Sequence, residues 1–258
     1  MLRIVAERIH QRYRTVPYPA KEPSLPPRFR GRPVLHDVPE ETARAAMSAC
    51  PAEAIGYRNG SPVLDLGRCI FCGQCERIAP EFVTFSGEYR MAALNRNELF
   101  VTPRGSLPND DTADDTAPVT PDSLREIFKR SFRIREVSAA GCNACEADCN
   151  VLTTVVFDLA RFGIDFVASP RHADAVLVTG PVPRNMHLAL QKCYAAMPEP
   201  KVVIAVGACA ISGGLFSEMD QDAHGVSPHL PVDVFVPGCP PNPYTILHGL
   251  LRFLRRAE

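Results

Sequence analysis

Tryptophan is absent from the 258 residues, and so is any apolar run approaching the roughly 20 residues that cross a bilayer as a helix, so no membrane span is expected. An excess of charge of one sign is missing too. The 28 Lys+Arg and 29 Asp+Glu leave a formal net charge of −1, which gives no support for a nucleic-acid or other polyanion partner. Met1 to Ala20 is basic and tyrosine-containing and lacks the apolar core of a secretory signal. The expectation is a soluble, cytoplasmic protein, peripheral on the cytoplasmic membrane through partner subunits. With 46% hydrophobic and 22% charged residues the composition is globular, and the length suits one large domain or two ordinary ones.

What is plentiful is cysteine, with ten residues. In a reducing compartment thiols stay reduced, and closely spaced sets bind metal more often than they pair as disulfides. Cys50, Cys69, Cys72 and Cys75 lie early; Cys142, Cys145, Cys149, Cys193, Cys209 and Cys239 lie late. That split suggests two metal-bearing units.

The rest of the chain divides accordingly. Residues 1–35 are rich in proline and arginine and read as an extended arm. A small unit follows over 36–102, with a helix expected from Pro39 to Met47 that ends at the Cys50-Pro51 step. Residues 103–121, PRGSLPNDDTADDTAPVTP, hold four aspartates and four prolines and read as a linker. Residues 122–258 form the second unit. Strands are expected at 132–137, 164–168, 175–179, 202–206 and 232–236, with helices near 146–161, 185–196 and 243–255. Strands alternating with helices predict a parallel α/β sheet, in which ligands gather outside the carboxyl ends of the strands.

The segment Cys69-Ile-Phe-Cys72-Gly-Gln-Cys75 has the C-x2-C-x2-C spacing of bacterial ferredoxins. There a fourth cysteine, three residues on and before a proline, ligates the other cluster. Here that position is Ala79-Pro80, without the cysteine. Cys50-Pro51 looks like the end of an earlier, degraded copy of the same run. In the crossed arrangement it completes one cluster with Cys69, Cys72 and Cys75, and the ligands of the other cluster are all missing. Four thiolates also suit tetrahedral zinc, which is the alternative for this site.

In the second unit Gly141-Cys142-Asn143-Ala144-Cys145, Gly207-Ala208-Cys209 and Gly238-Cys239-Pro240-Pro241 each follow an expected strand. A doubly wound sheet brings such ends together, so Cys142, Cys145, Cys209 and Cys239 can converge on a second cluster. The segments GCNACEADCN, RFGIDFVASPRHADAVLVTGPV, VGACAISGGLF and VPGCPPNPYTILHGL resemble the small subunit of energy-converting, formate-hydrogenlyase-type [NiFe] hydrogenases. They also resemble, more distantly, the 20 kDa subunit of respiratory complex I. The resemblance covers about residues 132–254. It implies a flavodoxin-like fold whose cluster, held by those same four cysteines, lies nearest a catalytic large subunit. Complex I relatives carry two adjacent cysteines in the first motif, whereas this chain has the C-x2-C of the hydrogenases. Residues 1–102 in turn resemble the ferredoxin-like α+β subunit that accompanies such complexes as a separate chain.

Other residues are given plainer roles. Cys149 is read as a non-ligand, Cys193 as a core thiol and Arg171-His172 as a loop element. Glu146 is read as a solvated or interface ion-pair residue, with assistance to proton movement as the alternative. The glycine-rich Gly207 to Gly214 lacks the spacing of a phosphate or dinucleotide loop and reads as backbone shaped to fit a cluster. The expected function is an electron relay through two [4Fe–4S] clusters, with no catalytic residue on this chain. Its expected partners are a [NiFe] hydrogenase large subunit (or a complex I 49 kDa-like subunit), an upstream redox protein such as a formate dehydrogenase or ferredoxin, and membrane subunits. The rival reading is a nickel-free, complex I-like oxidoreductase with NADH or quinone as redox partner.

Overall fold

The computed structural model describes residues 2–58, 60–106, 125–218 and 223–256. The chain opens with a helix, α1 (Leu2–Gln11). The extended reading of residues 1–35 is corrected there, because the prolines begin only at Pro17 and leave the first turns free to pair internally. Beyond α1 the arm is strapped onto the second half of the chain. Val16 N–H donates to the Val156 carbonyl (2.8 Å), and Arg161 donates to the carbonyls of Val16 and Tyr18. The buried Tyr18 ring meets Tyr89 and Tyr244 edge-on.

The first half is α+β. β1 (Pro33–Leu35) pairs antiparallel with β4 (Val83–Phe85). A second antiparallel sheet runs in the order β2 (Ile55–Arg58), β3 (Ser61–Asp65), β5 (Phe100–Thr102), β6 (Gly105–Ser106). Two helices complete it, α2 (Glu40–Ser48) and the short α3 (Gln74–Ile78). Of the expected linker, residues 107–121 lie outside the described residues.

The second half is a five-stranded parallel sheet made of β7 (Phe132–Ser138), β8 (Ile164–Phe166), β9 (Ala175–Thr179), β10 (Val202–Val206) and β11 (Val234–Val236). The spatial order β8-β7-β9-β10-β11 is 2-1-3-4-5 counted along the chain, the flavodoxin-like order with its switch point between β7 and β9. β9 and β10 are buried at every position, as strands covered on both faces must be. Their alternate residues serve two cores. Leu177 and Ile204 face one that holds α4 (Ala144–Val151) and α7 (Pro243–Phe253). Val176 and Val203 face another that holds Leu190 of α5 (Arg184–Ala195) and much of the first half, including Leu66, Phe82 and Leu99.

The helix expected over 146–161 stops at Val151. Thr153 and Thr154 turn their hydroxyls back onto the carbonyls of Asn150 and Val151, competing with the helical ladder, and β-branched Val155 and Val156 follow. The helices expected at 185–196 and 243–255 are present with boundaries shifted by one or two residues.

The two halves share a core and are also hydrogen-bonded together. Ala93 and Phe235 exchange both backbone hydrogen bonds at 2.8 Å, so the first half covers the exposed edge of β11. Thr245 donates its buried hydroxyl to the Tyr89 carbonyl (2.9 Å), and Arg252 bridges the Ala92 carbonyl and Glu98, each at 2.7 Å. Among the described residues no helix is long and apolar enough to cross a membrane.

Candidate metal centres

Cys50 follows directly on the end of α2, its N–H donating to the Met47 carbonyl. The other three early cysteines hang from a rigid turn after β3. There Asp65 accepts the N–H of Gly67 (2.8 Å) and both Arg96 Nη atoms (2.8 and 2.5 Å), and its carbonyl accepts the N–H of Cys69. Phe71 (φ 54°) and Gly73 (φ 72°) bend the loop tightly before Cys75 enters α3. The Ala54 N–H donates to Cys50 Sγ (3.3 Å) and the Phe71 N–H to Cys69 Sγ (3.4 Å).

Burial pushes the Cys69 thiol far up, against the Phe71 N–H that lowers it, and the charges of Cys75, Cys50 and Cys72 add to the rise. Burial likewise pushes Cys75 up to about 11. The N–H of Glu76 lowers it, and the charges of Cys50 and Cys72 raise it.

The late set forms at the carboxyl ends of β7, β10 and β11, beside the switch point. Cys142 lies in the loop after β7 and Cys145 in the first turn of α4. Cys209 sits in α6 (Ala208–Ser212), directly after β10, and Cys239 follows β11. Backbone hydrogen bonds tie the last two loops together: Gly207 N–H to Val236 O (2.8 Å) and Ala208 N–H to Gly238 O (2.9 Å). Gly207 adopts φ 92°, ψ 157°, and a Cβ there would lie 2.6 Å from Cys145 Sγ. The backbone is therefore cut away where that sulfur sits. Burial pushes Cys145 up to about 12, and the charges of Cys209, Glu146, Cys239 and Cys142 add to it. Cys209 rises to about 11 through burial and then through Cys239 and Cys142, and Cys239 rises through burial and then Cys142.

Cys69, Cys75, Cys145, Cys209 and Cys239 are raised chiefly by burial, as is the core thiol Cys149, and thiols raised in this way keep their protons and are poor free nucleophiles. Among the described residues no three His, Cys, Asp or Glu side chains are grouped to hold a single metal ion. A cleft of about 330 Å³ lies between the two loops, lined by Phe71 and Met91 on one side and Gly238 and Pro240 on the other.

Cys149 is fully buried in the core under α7 and its thiol is raised well above the ordinary value, first by burial and then by Glu136 and Cys145. Cys193 packs against the other core with the Arg135 guanidinium beside it. Arg171 and His172 are exposed on a short turn capped by Ser169. Glu146 is no solvated group. It is 6% exposed, and its Oε1 accepts hydrogen bonds from Ser138 (2.5 Å) and Thr179 (2.7 Å), while Oε2 is buried without a partner. Burial raises its pKa, but those hydroxyls and its own N–H outweigh burial and leave it below the ordinary value.

Sequence reasoning missed Glu136, whose carboxyl is pushed up to about 7 by burial and then by the Glu146 charge. The signal was available: Glu136 is in phase with the inward-facing Phe132 and Ile134 of β7.

A flavodoxin-like sheet that presents cysteines at its strand ends defines a class of metal-binding redox subunit. The family model described as NADH ubiquinone oxidoreductase, 20 Kd subunit, matches residues 142–253, and the chain belongs to that family. Formate hydrogenlyase subunit 7 of Escherichia coli (strain K12) is 40% identical over 59% of this chain and 60% of its own length. The probable membrane-bound hydrogenase subunit mbhJ of Pyrococcus furiosus is 42% identical over 52% of this chain and 80% of its own length. An NADH-quinone oxidoreductase subunit of Citrifermentans bemidjiense is 45% identical over 43% of this chain and 65% of its own length. The relatives are thus subunits of oxidoreductase complexes, and iron–sulfur binding belongs to the family. The chain spans only 60% of formate hydrogenlyase subunit 7.

Proposed function

We propose that this chain is an electron-transfer subunit of a membrane-associated, energy-converting [NiFe] hydrogenase complex of the formate-hydrogenlyase type. Cys50, Cys69, Cys72 and Cys75 hold one [4Fe–4S] cluster in a ferredoxin-like unit; Cys142, Cys145, Cys209 and Cys239 hold a second. The observation that supports this reading most is positional: Cys69, Cys72 and Cys75 lie on one tight loop with Cys50 just after α2, and Cys142, Cys145, Cys209 and Cys239 follow the carboxyl ends of β7, β10 and β11, on halves that share one core.

The clusters supply one-electron redox chemistry at potentials set by burial and hydrogen bonds to sulfur. The chain's own residues hold and shield them. The N–H groups of Ala54 and Phe71 donate to ligand sulfurs, and such donation favours the more negative, reduced state. The Asp65–Arg96 pair fixes the first loop, and the shared backbone hydrogen bonds of Gly207 and Ala208 fix the second. Because the halves are packed and bridged rather than tethered, the separation of the two sites is constant. The large subunit and the upstream donor are supplied by other chains. Zinc in the first site needs sulfurs about 2.3 Å from one ion; iron suits both sets alike.

A second reading, a nickel-free complex I-like oxidoreductase using NADH or quinone, is favoured by the likeness to the NADH-quinone oxidoreductase subunit of Citrifermentans bemidjiense. Against it stands the C-x2-C spacing of Cys142 and Cys145. Anaerobic iron and sulfide analysis tests the relay: about eight of each per chain is expected for two cubes, and zinc with little iron rejects it. Nickel in a co-purified large subunit separates the two readings.

A further inference from the structure

The amino-terminal helix plays no part in either metal centre or in the shared core. No residue of α1 is buried. Leu2, Val5 and Ile9 recur at helical spacing on one face and are 88%, 56% and 72% exposed, and Tyr13, just beyond the helix, is 91% exposed. The opposite side of this segment is mainly polar and basic, with Arg3, Arg8, Arg12 and Arg14 against a single acid, Glu7, although it also carries Ile4, which is 73% exposed.

The asymmetry extends beyond the helix. Residues 1–35 hold eight Lys and Arg against two Glu, a balance of +6, so residues 36–258 carry −7 of the chain's total of −1. Basic charge is therefore segregated onto the arm. The arm is fixed where it meets the body, through Thr15 Oγ1 to the Val155 carbonyl and Val16 N–H to the Val156 carbonyl, both 2.8 Å. Val155 and Val156 are themselves 67% and 40% exposed, so α1 leaves the body beside further apolar surface.

We propose that α1 is a direct membrane-surface anchor, lying in the headgroup region of an anionic bilayer with Leu2, Val5 and Ile9 inserted and its arginines on lipid phosphates. Apolar residues on one face and arginines around them are the requirements of an interfacial helix, whose long basic stems reach the headgroups from an inserted position. The sign of the charge selects anionic lipid. The acidic body is repelled by such a surface, so the arm alone is held and the subunit takes one orientation. The inference deepens the membrane-associated reading given above by adding lipid contact to attachment through partner subunits.

The test is co-sedimentation of the iron-loaded full chain with vesicles of phosphatidylglycerol and phosphatidylcholine, and with vesicles of phosphatidylcholine alone. Binding to the anionic vesicles at least tenfold tighter, and weakened by salt, is expected. The triple variant Leu2→Asp/Val5→Asp/Ile9→Asp should lose it. Arg3→Gln/Arg8→Gln/Arg12→Gln should weaken it by about a hundredfold, at roughly fivefold per arginine near an anionic surface. Because α1 is exposed throughout, both variants should keep wild-type iron content.

No binding to anionic vesicles, or equal binding by wild type and both variants, overturns the anchor. So does loss of a partner subunit from the variants without any vesicle binding, which reassigns α1 to a protein interface. Iron content, read separately, distinguishes failure of the anchor from failure of the relay.

Discussion

Replacing Gly207 by alanine should empty the second metal centre while leaving the first intact. Two costs are imposed at once. At φ 92°, ψ 157° the residue occupies a region held almost solely by glycine, and a side chain there costs about 1–3 kcal/mol. The new methyl would also lie 2.6 Å from Cys145 Sγ, whereas ordinary contact begins at 3.4 Å, so the sulfur must retreat by about 0.8 Å. A free cysteine can rotate away. A cysteine held by a cluster cannot, and α6 is locked by the backbone hydrogen bonds from Gly207 to Val236 and from Ala208 to Gly238. The strain is therefore relieved by loss of the cluster. Iron should fall from about eight to about four per chain, following two cubes. Of two EPR signals in the dithionite-reduced protein, the one belonging to the second centre should disappear. The assay is anaerobic iron analysis with EPR on the same sample, and far-ultraviolet circular dichroism to establish folding. A folded Gly207→Ala protein with full iron and both signals unchanged would refute the argument that Cys145 is held in place against this backbone.

Three further outcomes follow from the same geometry. Glu136 has a folded pKa raised from 4.5 to about 7, so its contribution to stability is full below about pH 4.5 and is lost as pH rises through 7. Glu136→Gln should therefore leave the unfolding free energy nearly unchanged at pH 4 and raise it at pH 8 by about 1–2 kcal/mol once partial solvent screening is allowed for; an equal effect of the substitution at both pH values rejects this. Arg96→Ala strands the largely buried Asp65 carboxylate and frees the loop that carries Cys69, costing about 2–4 kcal/mol. It should broaden or remove only the amino-terminal EPR signal, and disturbance of the other signal alone would reverse the assignment. Cys149 is a core thiol, so Cys149→Ala should keep about eight iron and lower stability by about 1 kcal/mol; a loss of half the iron would make it a ligand.

Much of the second half was legible because its chemistry and its periodicity coincide. The all-buried strands AVLVT and VVIAV announce a sheet covered on both faces, and a glycine stands one or two residues before the cysteine at three strand ends. The first half was legible at its cysteines but not in its packing. Nothing local reveals that Ala93 caps the edge of β11, or that Arg252 reaches back to Ala92 and Glu98, because such contacts join residues more than 140 positions apart. Two local signals were outvoted. The prolines that stiffen residues 17–33 obscured the helical spacing of Leu2, Val5 and Ile9. The pattern of an amphipathic helix was carried past Val151 into a run of β-branched residues whose hydroxyls unwind it. Glu146 was misread for a different reason: its burial depends on Ser138 and Thr179, which only the parallel pairing of β7 with β9 brings together.

The central claim is that eight thiolates form two independent sets, with Cys50 completing the set of Cys69, Cys72 and Cys75 across the intervening hairpin. EPR of the reduced Cys50→Ala protein tests it most directly. The account predicts that the amino-terminal signal is lost or converted while the second signal keeps its g-values and intensity. Both signals unchanged, or loss of the second alone, would contradict it.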